Sequence, residues 1–203
     1  MKRTLILPVA SLLLAASVSA NETAHETAHE THTGHEAPVH SETGFYAALK
    51  GLVTLGNEVD HGDATLDGSR GQGVGVEMGY KIGSGFAIEG DATFARNSVT
   101  ETKCAEGECE REKAGGEYTT VSLDLVYTYH VTHHLGTFVK TGYEYETETI
   151  DQLEISGNDT GFIYAAGAEY AVGDHTAFMA EYEGTTIEGP RGNSIFAGIL
   201  YHF

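Results

Sequence analysis

The chain has no tryptophan and only three prolines, against 26 glycines. Scarce proline with plentiful glycine suits many strands and turns better than a helical bundle. Basic residues are few as well, 11 Lys and Arg against 30 Asp and Glu, a net charge of −19. That balance excludes nucleic acid as a partner, because phosphate binding needs clustered lysines and arginines. Long apolar runs are also missing. The longest, Leu5 to Ala16, is too short for a membrane helix, which needs about 20 residues. Cysteine is limited to Cys104 and Cys109 in CAEGEC. In an exported chain this pair predicts a disulfide closing a small loop, with a soft-metal or redox site as the rival reading.

What is present begins with a processing signal. Lys2 and Arg3 precede the apolar stretch, and Val18-Ser19-Ala20 supplies small residues for cleavage, so residues 1–20 read as a secretory signal peptide. Residues 21–43 follow as NETAHETAHETHTGHEAPVHSET, rich in His, Glu and Thr. Such a composition buries almost nothing and predicts a disordered tail. Its five imidazoles, His25, His29, His32, His35 and His40, are spaced to offer two or three ligands each to Zn²⁺, Cu²⁺ or Ni²⁺.

From residue 44 onward the apolar residues recur at period two, the signature of strands with unlike faces. Eight such runs occur, at 44–56, 70–82, 86–97, 117–131, 135–146, 160–172, 176–184 and 192–203. Their connectors alternate. Those at 83–85, 132–134 and 173–175 are short, those at 57–69, 98–116 and 147–159 long, and 185–191 is intermediate. Alternating turns and loops, together with tyrosines near the strand ends, predict an all-β chain. It is expected to be a transmembrane eight-stranded antiparallel up-and-down β-barrel over 44–203 with a disordered N-terminal tail. A soluble sandwich gives the same alternation but not the same connector pattern.

The ending IFAGILYHF, with apolar residues alternating back from Phe203, and the opening GFYAALKG resemble the bacterial outer-membrane β-barrel domain family of small opacity-type and porin-like proteins. The resemblance implies a Gram-negative outer membrane, insertion by the barrel-assembly machinery through the Phe203 signal, and contact with membrane lipid and lipopolysaccharide. It specifies activity poorly, since one barrel serves many roles. The His-rich tail departs from the family pattern.

An even strand number puts both termini in the periplasm, so the tail is expected there. His133, His134, His175 and His202 map to the same side as additional metal contacts. Strand parity turns Lys50, Glu77, Lys81, Glu89, Asp91, Asp124, Lys140, Glu144, Glu169 and Glu181 into the lumen, where buried charges must pair. The expected function is structural or surface-interacting, with a side-chain-filled lumen and no required cofactor. The alternatives are a narrow cation-preferring pore and periplasmic Zn, Cu or Ni binding through the tail. Catalysis is not expected, because no Ser stands beside His61 with a matched carboxylate. The sequence names no extracellular partner.

Overall fold

The computed structural model describes residues 43–105 and 108–203. Residues 1–42, which hold the expected signal peptide and the five histidines of the expected tail, lie outside the described residues. The strands in chain order are β1 (Thr43–Thr54), β2 (Glu58–His61), β3 (Ala64–Gly68), β4 (Gln72–Gly83), β5 (Phe86–Ala105), β6 (Glu108–His130), β7 (Leu135–Ile150), β8 (Ile155–Ala171), β9 (Thr176–Thr185) and β10 (Ser194–His202). Every pairing is antiparallel, and eight strands form a ring. β1 closes it by pairing with β10 on one side and β4 on the other. Closure removes the unpaired edge that an open sheet would present to lipid.

The alternation sorts the side chains into an apolar outside and a mixed inside. Leu49 faces outward between Ile199 and Val76, while its neighbour Lys50 points inward and is 1% exposed. Phe45, Tyr80, Phe86, Tyr127, Tyr201 and Phe203 form an outward aromatic belt near the short turns. Ring contacts such as Phe45–Tyr80, with centroids 4.7 Å apart, and Phe86–Tyr127 at 4.9 Å tie neighbouring strands together. A second set, including Tyr143 and Phe162 at 5.4 Å, lies toward the long loops.

The three short turns gather at one end. In the β4–β5 turn, Ser84 has φ 54 between Gly83 at φ 100 and Gly85 at φ 81, a left-handed run that glycine adopts without steric cost. The other end differs from the loop pattern expected of 57–69 and 98–116. Residues 57–69 fold into the β2–β3 hairpin, and β3 pairs with the far end of β5. β5 and β6 continue as one ladder to Ala105 and Glu108, where Cys104 and Cys109 are disulfide-bonded opposite each other. Here Leu66, Val99, Ala114 and Ile150 make a small core, covered by Val59, Leu153 and Ile155. That core is the physical reason these segments are ordered sheet.

Candidate functional site: the charged lumen

The lumen is built from inward positions of all eight ring strands. At its centre the Lys50 ammonium lies 2.9 Å from Glu77 Oε2, contacts Asp91, and stands 4.0 Å from Glu181. Lys140 Nζ, from β7 across the ring, reaches Glu77 at 2.9 Å, Glu89 at 2.6 Å and Glu181 at 3.1 Å. Glu77 therefore joins both lysines. The Tyr46 hydroxyl donates to Glu89, and Lys50 sits 4.5 Å from the centre of the Phe196 ring. Asp124 is buried nearby and accepts from Ser122 Oγ at 2.7 Å. Charge-assisted contacts of this kind are what make burying ions tolerable.

A second layer lies toward the long loops, and a residue outside the strand pattern supplies its cation. The β9–β10 connection turns inward and carries Arg191, which is 3% exposed. Its Nη2 lies 2.7 Å from Glu144 Oε1 and its Nε 2.6 Å from Glu146 Oε2. Burial alone would lower the guanidinium's proton affinity, but Glu144, Glu146 and Glu183 outweigh it and raise the pKa above the ordinary value. The connection is strapped to its surroundings. Gly56 N–H donates to Arg191 O at 3.0 Å, and Asn97 Nδ2 donates to Pro190 O at 3.1 Å. Tyr118 OH in turn donates to Asn97 at 3.1 Å. The strap passes so close to Gly68 that a Cβ there would stand 1.8 Å from Pro190 O. Only glycine fits this approach.

Lys50, Glu77, Glu89, Asp91, Lys140 and Glu181 thus meet in one network, and Glu144 joins the Arg191 layer. Glu169 and Lys81 sit nearer the short-turn mouth, both half-buried, with Glu169 Oε1 4.0 Å from His130 Nε2. Parity did not reveal Arg191, because a loop has no alternation to read. Glu146 and Glu183 lie on the lumen face of their strands and were legible by the same rule.

The histidines near the short turns are separated by burial. His133 and His134 are exposed in the β6–β7 turn and His175 in the β8–β9 turn, whereas His202 is buried inside. His175 Nδ1 stands 3.0 Å from His202 O. His130, His133, His134, His202 and Glu169 line one small crevice. Among the described residues no three His, Cys, Asp or Glu side chains are grouped to hold a metal ion.

A family model described as the outer membrane protein beta-barrel domain matches residues 10–203. The chain belongs to that family. As an outer-membrane β-barrel it shares its fold with solved bacterial structures. One is Neisserial surface protein A, at 16% identity and TM-score 0.57 over 79% of this chain and 97% of that one. Another is OprG from Pseudomonas aeruginosa, at 12% identity and TM-score 0.61 over 79% and 96%. A third is Ail, the attachment invasion locus protein of Yersinia pestis, solved with the heparin analogue sucrose octasulfate, at 11% identity and TM-score 0.50 over 79% and 99%. No curated protein matches the chain at a significant level. Family and neighbours put this barrel in the bacterial outer membrane.

Proposed function

We propose that this outer-membrane barrel is a non-enzymatic structural or surface-interaction protein with a side-chain-filled, non-conducting lumen. The observation that carries the reading is the pair of ion-paired layers under the Arg191 strap. Both termini are assigned to the periplasm and the long-loop end to the exterior. There the β2–β3 hairpin and the disulfide-tipped β5–β6 ladder form an ordered platform, a rigid base for contacts made by loops. Surface protein A and the attachment protein Ail are neighbours whose own names fit such a role. The partner of this chain is not specified by that likeness.

Orientation is testable on intact cells. Cysteine placed by Asp151→Cys at the long-loop end should react with a membrane-impermeant maleimide without permeabilisation. Cysteine placed by Ser84→Cys should react only after the envelope is opened. The reverse pattern would refute the assignment.

A second reading, periplasmic binding of Zn²⁺, Cu²⁺ or Ni²⁺ by His25, His29, His32, His35 and His40, is favoured by one observation. Strand β1 starts at the short-turn end, where His130, His133 and His134 share a crevice, so the chain following the tail begins at the end that carries further imidazoles. Calorimetric titration of the whole protein should then show saturable binding that is lost when residues 21–42 are deleted. Equal heats from both proteins would end this reading.

A further inference from the structure

Lys50, Lys140 and Arg191 are buried in the lumen, and each is already engaged. Lys50 contacts Glu77 and Asp91, Lys140 contacts Glu77, Glu89 and Glu181, and Arg191 contacts Glu144 and Glu146. Glu183 receives none of them. It lies on the lumen face of β9 and is 6% exposed. Among the described residues its carboxyl group has no hydrogen bond and no ion pair. Even Asp124, which no cation contacts, accepts from Ser122.

The elements packed against Glu183 offer it no partner. Its paired residues are Ser194 on β10 and Ala165 on β8, neither of them charged. Beyond Ser194 on β1 stands Thr54, whose Oγ1 is itself buried without a partner. The charges that act on Glu183 are those of Glu144 on β7, Glu181 on its own strand, Arg191 in the β9–β10 connection and Lys50 on β1. The first two repel a carboxylate, and the two cations are held in contact by other carboxylates. A carboxylate buried without a partner is strongly disfavoured and becomes neutral by taking a proton. A metal ion would need several ligands, and among the described residues no three His, Cys, Asp or Glu side chains are grouped to hold one. A proton needs no such cage.

We propose that Glu183 is a buried proton-binding site of the lumen, neutral in the folded barrel at neutral pH and ionised in the unfolded chain. Arg191 keeps its charge through Glu144 and Glu146. The unfolded chain gives up this proton above the ordinary glutamate value of about 4.3, whereas the folded barrel retains it. The stability that the proton contributes is therefore complete below that value and is lost as pH rises. Acidification strengthens the barrel around its plug, and alkaline conditions weaken it. The site does not rest on the non-conducting reading, since it concerns only the charge balance of the folded barrel.

The test is urea unfolding of the whole protein in lipid vesicles at about pH 5, 6 and 7, for the wild type and for Glu183→Gln, whose amide is neutral at every pH. The folding equilibrium constant of Glu183→Gln relative to wild type should rise close to tenfold per pH unit, because only the wild type releases this proton on unfolding. A ratio that stays within twofold per pH unit, or that falls, would overturn the proposal. So would failure of Glu183→Gln to fold at about pH 6 where the wild type folds, since the amide matches the protonated carboxyl in charge and size. Replacing Na⁺ by N-methyl-D-glucamine at constant pH and ionic strength should leave wild-type stability unchanged. A loss of stability would mean that a metal cation neutralises Glu183, and would equally overturn the proposal.

Discussion

Lys140→Met should destabilise the barrel by roughly 3–5 kcal/mol, the range for removing one partner of a buried ion pair. The Lys140 ammonium contacts Glu77, Glu89 and Glu181, all nearly inaccessible to water. Glu77 keeps Lys50 at 2.9 Å, but Glu89 is left with only the Tyr46 hydroxyl. Methionine retains most of the side-chain volume, so the loss is electrostatic and not a cavity. The double variant Lys140→Met with Glu89→Gln should recover part of it, because the stranded charge is then gone. With no tryptophan in the chain, the unfolding curve in urea is best followed by the mobility shift of folded barrels on gels or by far-ultraviolet circular dichroism. Equal stability of wild type and Lys140→Met would mean that the network contributes nothing to the fold.

Leu49→Arg should cost about 2–4 kcal/mol, the penalty for arginine on the lipid face at the bilayer midplane. Leu49 is 66% exposed and lies between Val76 and Ile199, midway between outward Phe45 and Val53. In water such exposure would be harmless to arginine. In lipid the guanidinium must be desolvated or must drag water inward. Ile82→Arg, at the short-turn rim beside Thr43, should cost only about 0–1 kcal/mol, as expected near the interface. The contrast between the two positions, measured by unfolding in bilayers, separates a lipid face from an ordinary surface. Similar costs at both sites would argue against the midplane placement of Leu49.

Both substitutions rest on features that were legible in the chain. Strand parity sends Lys50 inward and Leu49 outward, and the register agrees at each step of β1. The alternation of turns and loops gave the ring of eight. The end with the longer loops was not legible in the same way. Residues 98–116 read as a long connector because Thr100, Glu101, Thr102 and Lys103 offer no apolar face. Their order comes from cross-strand pairing and from the Leu66, Val99, Ala114 and Ile150 core, contacts between residues far apart in sequence. Arg191 escaped for a related reason. It belongs to a connection whose inward path depends on Gly68 and Asn97, and nothing local to residues 185–191 signals that. Among the lumen residues, Phe138, Met179 and Phe196 were masked by the expectation that the inner face is polar. Phe138 and Met179 belong to one buried apolar cluster and Phe196 to another.

The proposed non-conducting role requires a lumen blocked by ion-paired side chains. Carboxylates there outnumber the three buried cations Lys50, Lys140 and Arg191, so a lumen that did conduct would prefer cations. Single-channel recording of the purified protein in planar bilayers tests this most directly. The expected result is a silent bilayer, with no reproducible steps under applied voltage. Stepwise cation-selective openings that depend on protein concentration would contradict it and identify the barrel as a narrow pore.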